Sequence, residues 1–312
     1  MLSHTVAGVG KQLTLRHGRK SFLRSARRMQ GGGSAMRKIL SYLVVTTLFI
    51  VSGVGALLYV RGGAPEPRLW TGGEIRVGYS GEPPYCFRTA RGEVSGAAPE
   101  VAKAVFGQAG IGPVRWVLLD FNQAIAALLD GRIDMIANGL FVTPERARRM
   151  LFSRPFCRSL PGLLVRHGNP LGLHSYEDAA KSASARIAVL DGSVEQLALA
   201  ELGTPSERLF VVPDPAGGLA AVRSGRADAL ALSSPTVAWL AGESQGEAEP
   251  AAPMRQVAGA PEGQSAFAFR PTDKALAGRV DAALAGYIGS KSYQELLTSL
   301  GFGSGLMPPG SR

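Results

Sequence analysis

The sequence is poor in the residues that bind metals or carry out nucleophilic catalysis. Its 312 residues include only four histidines and two cysteines, and these do not cluster. A zinc site needs three or four such ligands at defined spacing, so we expect no metal and no cofactor. No Ser-His-Asp or Cys-His arrangement stands out either. The composition therefore favours a protein that is not an enzyme.

The chain also lacks a basic body, although its formal net charge is +10. Residues 1–38 hold nine of the 34 lysines and arginines and no acidic residue, whereas the remainder has 25 bases against 24 acids. Nucleic-acid binding needs a basic face on the folded domain. The distribution of charge therefore argues against a nucleic-acid partner.

An uncharged apolar stretch follows the basic segment, at residues 39–60. Its 22 residues are enough to span a bilayer, and the preceding bases predict that the N-terminal side is cytoplasmic. We favour an uncleaved anchor over a cleaved signal. Residues 1–38 are then a basic, disordered cytoplasmic tail. If translation starts at Met36 instead, residues 1–35 are an unused upstream start. Residues 61–73 are a predicted linker, and the rest of the chain lies outside the cytoplasm.

The two cysteines, Cys86 and Cys157, both fall in the exported part. Each follows an aromatic residue and a proline, as Pro-Tyr-Cys and Pro-Phe-Cys. An even pair outside the cell permits a disulfide. The spacing does not prove the bond, and two buried free thiols are the alternative.

Hydrophobic patterning predicts alternating strands and helices in the first half of the exported part. We predict strands at residues 74–79, 114–118 and 133–137, and helices at residues 99–109 and 122–129. The order β-α-β-α-β implies a parallel, doubly wound sheet. The fold class is therefore α/β.

A second α/β unit follows, with a strand at residues 186–190, a helix at 194–201 and a strand at 209–212. A Gly-Arg-x-Asp segment occurs in both units, and its glycines, Gly131 and Gly225, lie 94 residues apart. We assign structural roles to the aspartates that end the two copies, Asp134 and Asp228.

Two similar units predict a two-lobed protein with a ligand-binding cleft between the lobes. Residues 243–261 are a predicted loop, and helices at 274–287 and 290–300 return to the first lobe. Lobe 1 would comprise residues 74–160 with 262–303, and lobe 2 residues 161–261.

The loop at residues 138–146 carries the strongest local signal for a binding site. Thr143 can cap a helix that Pro144 begins, so backbone N–H groups are exposed after the preceding strand. Arg146 adds a planar two-pronged donor suited to a carboxylate. Phe141 adds an aromatic face. The loop alone predicts an anion site with an apolar wall, and a solvated arginine beside a core phenylalanine is the alternative.

Together these motifs resemble the family 3 extracellular solute-binding proteins of ABC importers, over about residues 74–303. Within that family the sequence looks closest to the ectoine/hydroxyectoine-binding subgroup. Four stretches carry this closer resemblance: residues 81–85, 139–146, 168–178 and 220–226. Residues 291–302 resemble the C-terminal helix of the wider family. The resemblance implies two lobes joined by a hinge and a location of this protein in the periplasm or on the outer face of the membrane. It also implies an ABC permease and its ATPase subunits as partners.

The resemblance also implies a ligand site built as an aromatic cage. Arg146 would bind the ligand carboxylate, Glu82 would face the cationic ring, and Gly139 would offer its backbone. Ser193 would donate to the ligand carboxylate as the lobes close. The cage itself would be formed by Tyr85, Phe121 and Phe141.

Departures from the amino-acid binders of the family support the ectoine reading. Those binders typically have an aspartate for the α-amino group where this chain has Ser233. They often have serines near Gly139 and Phe141.

Three other functions stay open at this point. One is a binder of amino acids or opines. Another is a prephenate or arogenate dehydratase, for which Glu82 is the only cleft acid that we can nominate. The last is a sensor domain, for which residues 1–38 are too short to form an output module.

Overall fold

This computed structural model describes Leu43, Thr47 and residues 70–255 and 262–308. The chain forms two compact units, residues 1–64 and 65–312. The predicted tail at 1–38, the predicted membrane segment at 39–60 apart from Leu43 and Thr47, and most of the linker lie outside the described residues. Within the described residues, no helix is long and apolar enough to cross a membrane.

Fourteen short strands form in the described residues of the second unit. In chain order they are β1 Ile75–Tyr79, β2 Phe87–Arg88, β3 Val94–Ser95, β4 Val114–Leu118, β5 Met135–Ile136, β6 Leu151–Phe152, β7 Cys157–Ser159, β8 Pro161–Arg166, β9 Ile187–Leu190, β10 Leu209–Val212, β11 Ala229–Ser233, β12 Ala248–Pro250, β13 Gly263–Ser265 and β14 Ala268–Phe269.

Nine α-helices alternate with these strands in the described residues. They are α1 Ala97–Ala109, α2 Ala124–Leu129, α3 Pro144–Ala147, α4 Tyr176–Lys181, α5 Val194–Glu201, α6 Pro215–Arg223, α7 Ser234–Glu243, α8 Lys274–Tyr287 and α9 Lys291–Ser299. Short 3-10 helices form at Phe121–Gln123, Ser206–Arg208 and Ser304–Leu306.

Ten of these strands form two five-stranded sheets, which confirms the two-lobed α/β fold, and the other four pair as β2 with β3 and β7 with β13. The first has the order β4-β1-β5-β14-β6 and the second the order β10-β9-β11-β8-β12. We call the first sheet with α1–α3, α8 and α9 lobe 1, and the second sheet with α4–α7 lobe 2. The residue boundaries predicted for the lobes stay a prediction, because contacts divide the chain only after Ala64.

The three strands predicted to be parallel are parallel, and both sheets are mixed because further strands join them antiparallel. β1 is parallel to β4 and β5, but β14 is antiparallel to β5 and β6. In lobe 2, β8 is antiparallel to both β11 and β12. β12 itself lies within residues 243–261, which we predicted to be loop. Pairing with β8, and not an alternation of apolar residues within the segment, gives β12 its extended conformation.

Helix starts follow the expected capping chemistry. The Thr143 hydroxyl accepts a hydrogen bond from the backbone N–H of Arg146, and Pro144 occupies the first turn of α3. Asp214 caps α6 in the same way by accepting from the N–H of Gly217 at 2.7 Å. Such caps satisfy donors that the helix leaves unpaired, and each stabilises the helix by about 1 kcal/mol.

The aspartates of the repeated motif have the same structural role in both lobes. Asp134 accepts from the backbone N–H of Arg76 at 3.0 Å, and Asp228 accepts from that of Arg186 at 2.9 Å. Asp134 also pairs with the side chains of Arg76 at 2.7 Å and of the buried Arg270 at 3.0 Å. Burial raises the pKa of Asp134, but hydrogen bonds from the two arginines outweigh this and lower it.

Each lobe has its own apolar core. In lobe 1, Val101 and Val105 of α1 pack in one cluster with Val280 and Leu284 of α8. The C-terminal helix α9 is fixed to the same core by Tyr293, whose buried hydroxyl donates to the carbonyl of Phe156 at 2.6 Å. Full burial of each such aliphatic side chain contributes about 1.5–3 kcal/mol to folding. These cores hold the loops that meet between the lobes.

Candidate functional site

A small pocket lies between the lobes and brings together most of the predicted site residues. Its volume is about 10 Å³. Six of the eight predicted ligand-binding residues line it, and Tyr85 and Ser233 do not. We call it the inner pocket; its lining residues are Glu82, Phe121, Gly139, Phe141 and Arg146 from lobe 1, and Leu190, Ser193, Val194, Glu195 and Leu232 from lobe 2.

Arg146 lies in the first turn of α3 and reaches across to lobe 2. One guanidinium nitrogen donates to the carbonyl of Phe141 at 2.9 Å, and the other terminal nitrogen donates to the carbonyl of Gly192 at 3.1 Å. Its guanidinium carbon lies 6.0 Å from the centroid of the Phe121 ring. Among the described residues, no carboxylate oxygen lies within 4.0 Å of a guanidinium nitrogen of Arg146, the limit for an ion pair. Neutral carbonyls therefore orient the Arg146 guanidinium, and its positive charge has no ion-pair partner among the described residues.

Glu82 faces the pocket from the loop after β1. Its backbone is fixed by reciprocal hydrogen bonds with Cys86, at 2.8 and 2.9 Å. Its carboxylate accepts a hydrogen bond from the hydroxyl of Thr236, on α7 of lobe 2, at 3.3 Å. Burial, and then the negative charge of Glu195, raise the pKa of Glu82 to about 8. At neutral pH the Glu82 carboxyl is therefore mostly protonated, and a cation that binds beside it would favour its charged form.

The three predicted cage aromatics do not all line the pocket. Phe121 and Phe141 do, whereas Tyr85 is fully buried one layer below. Its ring makes edge contacts with Phe141, at 6.5 Å between centroids, and with Phe302, at 5.2 Å. Tyr85 belongs to the lobe 1 core and supports Phe141 from behind.

The Tyr85 hydroxyl is buried and makes no hydrogen bond to the described residues. Burial raises the pKa of Tyr85 well above its ordinary value, and Ser159 and Ser233 oppose this shift.

Gly139 allows these groups to approach one another. A β-carbon at this position would lie 3.1 Å from Cγ of Tyr85 and 3.3 Å from a carboxylate oxygen of Glu82. Both distances are shorter than ordinary van der Waals contact. A side chain at this position would therefore force Tyr85 or Glu82 to shift by a few tenths of an ångström.

The two predicted serines occupy different places. Ser193 lines the pocket and caps α5, where its hydroxyl accepts from the N–H of Gln196 at 3.1 Å. Ser233 is buried behind the pocket and donates to the hydroxyl of Thr236 at 3.3 Å, which in turn donates to Glu82. Ser233 therefore acts on Glu82 through Thr236, a residue that sequence reasoning missed.

Glu195 is the second site residue that the sequence did not reveal. It lies in the first turn of α5, lines the inner pocket and is only 8% exposed. Burial raises its pKa, and its own backbone N–H, Arg146 and Ser193 oppose this shift. An acid in the first turn is common at helix starts, so Glu195 did not stand out beside Ser193. Only its burial between the lobes distinguishes it.

A larger cavity of about 230 Å³ adjoins the inner pocket. The two share Glu82, Phe121 and Leu190 as lining residues. The cavity also contacts the loops after β4 in lobe 1 and before α6 in lobe 2. It therefore extends the cleft between the lobes toward the outside.

Several direct contacts join the lobes around this cleft. The Asn122 amide donates to the carboxylate of Asp191 at 2.8 Å. The rings of Phe87 and Trp239 lie 5.2 Å apart between centroids. With the bonds made by Arg146 and Glu82, these contacts hold the lobes together around the inner pocket.

Neither a disulfide nor a metal site accompanies the pocket. Cys86 and Cys157 are both free and buried, so the disulfide that the sequence permitted is not formed. The Cys86 thiol donates to the carbonyl of Ser80 at 2.6 Å, and burial raises the pKa of each thiol to about 12. In residues 70–255 and 262–308, no group of acids, histidines and cysteines could hold a metal ion.

Comparison with known proteins agrees with this architecture. Residues 75–301 match the family of bacterial extracellular solute-binding proteins, family 3. A probable amino-acid ABC transporter periplasmic-binding protein of Sinorhizobium fredii is 32% identical over 235 residues, which cover 74% of this chain and 77% of that protein.

Two solved structures are also similar. The crystal structure of EhuB in complex with hydroxyectoine has 34% identity and a TM-score of 0.69, and the match covers 74% of this chain and 89% of EhuB. An ancestral amino-acid-binding protein, a precursor of cyclohexadienyl dehydratase, has 26% identity and a TM-score of 0.62, with 73% and 94% covered.

These relatives bind solutes and are not enzymes, and the family is extracytoplasmic. The family match spans nearly all of the described residues after β1 begins. The chain therefore belongs to the family 3 bacterial extracellular solute-binding proteins, as the solute-binding component of an ABC importer of amino-acid type.

Proposed function

We propose that this protein captures ectoine, hydroxyectoine or a similar small zwitterionic compatible solute. The observation that carries the proposal is the charge arrangement of the inner pocket. A half-buried arginine without an ion-pair partner among the described residues lines the same pocket as a buried glutamate that also lacks one. The similarity to EhuB in complex with hydroxyectoine supports the same ligand class.

Each end of such a zwitterion has a partner in the pocket. Arg146 would bind the carboxylate, because its guanidinium is already held by the carbonyls of Phe141 and Gly192. Glu82 would neutralise the delocalised cation and accept its N–H bonds. A quaternary ammonium has no N–H group, so Glu82 favours an amidinium over a betaine.

The aromatic walls suit a flat, delocalised cation. Phe121 and Phe141 both line the pocket, and each desolvated cation–π contact would contribute about 1–2 kcal/mol. Gly139 would offer its backbone to the ligand, and Ser193 would contact the ligand carboxylate. Tyr85 would keep Phe141 in place and not touch the ligand.

Binding requires the lobes to separate and close again. The inner pocket, at about 10 Å³, has room for little more than one water molecule, so a solute enters by widening it into the adjoining cavity of about 230 Å³. A hinge motion between the lobes would do this, as in other two-lobed binding proteins. The ABC permease would then recognise the closed, loaded form.

A second candidate is an α-amino acid. The relative in Sinorhizobium fredii is named as a probable amino-acid transporter component. Glu195 of lobe 2 supplies an acid that could take an α-amino group in place of the aspartate that Ser233 replaces. This candidate makes less use of the aromatic walls.

Isothermal titration calorimetry of the purified full-length chain separates the two candidates. We expect binding of ectoine and hydroxyectoine that is tighter than binding of glycine betaine, arginine or glutamine. Arg146→Ala should weaken ectoine binding by about 2–5 kcal/mol, the usual cost of removing one partner of a buried charge pair. Heat released only with amino acids would refute the ectoine proposal.

We also propose that residues 39–60 anchor the protein in the membrane, on the basis of their 22 uncharged residues. The anchored protein should stay with membranes during alkaline carbonate extraction. A variant that begins at residue 65 should be released. Recovery of the full chain in the soluble fraction would contradict the anchor.

A further inference from the structure

Lobe 2 contributes a second buried acid to the inner pocket. Glu195 lies on α5, opposite Glu82 of lobe 1, and both line the same space. The charge of Glu195 acts on Glu82 and on Arg146, so the three groups form one electrostatic unit. A ligand whose cation contacts only Glu82 would not require a second acid in the pocket.

None of the three groups is neutralised by a neighbouring side chain. In the described residues, no ion pair within 4.0 Å includes Glu82, Glu195 or Arg146. Glu82 and Glu195 are buried and Arg146 is half-buried, and the charged forms of such groups are costly unless a partner of opposite charge is present. Two acids and one arginine therefore leave room for a ligand whose cationic part can satisfy both acids.

The direction of approach constrains that cationic part. Glu82 and Glu195 come from opposite lobes, and the rings of Phe121 and Phe141 line the same pocket. A planar cation that faces such rings carries its N–H donors at its edges. An amidinium or a guanidinium has donors on two edges, whereas a quaternary ammonium has none.

We infer that Glu195 is a ligand-contacting specificity residue, which binds one N–H edge of the ligand cation while Glu82 binds the other. This inference rests on the proposed function and names the feature of the ligand that lobe 2 recognises, which is the second N–H edge of the cation. Because Glu195 comes from lobe 2, its contact forms only as the lobes close. The site thereby selects delocalised cations with two N–H edges.

The test uses Glu195→Gln with a matched control on the same helix. The substitution keeps the size of the side chain and removes its charge. Glu201→Gln is the same change at the exposed end of α5. Calorimetry of the full-length chain would use ectoine, arginine and glycine betaine, and thermal unfolding would confirm that each variant is folded.

Glu195→Gln should weaken ectoine binding by about 10- to 100-fold, the value of one charge-assisted hydrogen bond. The preference for ectoine over glycine betaine should fall by at least about 10-fold. Glu201→Gln should stay within about twofold of the wild type.

Unchanged ectoine binding in Glu195→Gln would overturn the inference. An equal loss for ectoine and glycine betaine would overturn it too, because Glu195 would then only shape the pocket. If the wild type binds arginine but not ectoine, the proposed function fails, and a loss of arginine binding in Glu195→Gln still supports the inference. If it binds no N–H cation, both fail.

Discussion

Ligand affinity should rise with pH, because Glu82 must lose a proton to bind a cation. Its pKa in the unliganded protein is about 8, raised by burial and by Glu195. The cost of deprotonation then comes to about 2.7 kcal/mol at pH 6, about 1.4 kcal/mol at pH 7 and about 0.4 kcal/mol at pH 8. The affinity for ectoine should therefore increase about tenfold per pH unit below pH 8 and level off above it.

Calorimetry at pH 6, 7, 8 and 9 measures this dependence directly. Titrations in two buffers with different ionisation enthalpies should show that nearly one proton is released per ligand at pH 6. Glu82→Gln should bind more weakly, with little pH dependence. Glu195→Gln should move the inflection to lower pH, because the charge of Glu195 contributes to the raised pKa of Glu82. An affinity that is constant, or that falls as the pH rises, would refute the assignment of Glu82 as the anion that meets the cation.

Two further predictions concern residues that hold the site in place. Asp134→Ala should lower the free energy of unfolding by about 3–5 kcal/mol, because it leaves the buried Arg270 without one of its ion-pair partners. Asp228→Ala, at the equivalent but less buried position, should cost less in chemical denaturation, and equal losses would contradict this reasoning. Gly139→Ala should weaken ligand binding by about 1–3 kcal/mol with a folded protein, because the new methyl group presses on Tyr85. Unchanged affinity would show that the loop can move away.

Local patterns were enough to predict most of the elements. The strand at Val114–Leu118 and the helices at Val194–Glu201 and Lys274–Tyr287 have the predicted bounds. Their apolar periodicity and their end signals lie within the element itself. β12 was missed because its residues have no strand pattern, and its extension depends on pairing with β8 from a distant part of the chain.

Sequence reasoning named the pocket-lining residues that one loop carries, and it missed those that depend on the meeting of the two lobes. Arg146 and Phe141 follow from a capped helix after a strand, which is visible in nine consecutive residues. Tyr85 was placed in the cage because the resemblance aligned it there, but it packs on Phe302, which lies 5.2 Å away near the end of the chain. Glu195 and Thr236 gain their importance only from the approach of lobe 2 to Glu82. The contact between the two lobes produces no periodic pattern of residues that could be recognised in the sequence.

The charged groups that would hold the ligand are also groups that join the lobes. Arg146 of lobe 1 donates to the carbonyl of Gly192 in lobe 2, and Glu82 of lobe 1 accepts from Thr236 in lobe 2. Each of these hydrogen bonds contributes a few kcal/mol at most, and without a ligand the cost of charging Glu82 and Glu195 and of desolvating Arg146 opposes closure. A zwitterion reverses this balance, because it brings the opposite charge to both sides of the pocket at once. A simple cation or anion would satisfy only one side, so it would leave the other charge buried when the lobes close. On this reasoning, capture and closure are the same event, and a permease that recognises the closed lobes thereby recognises a loaded protein.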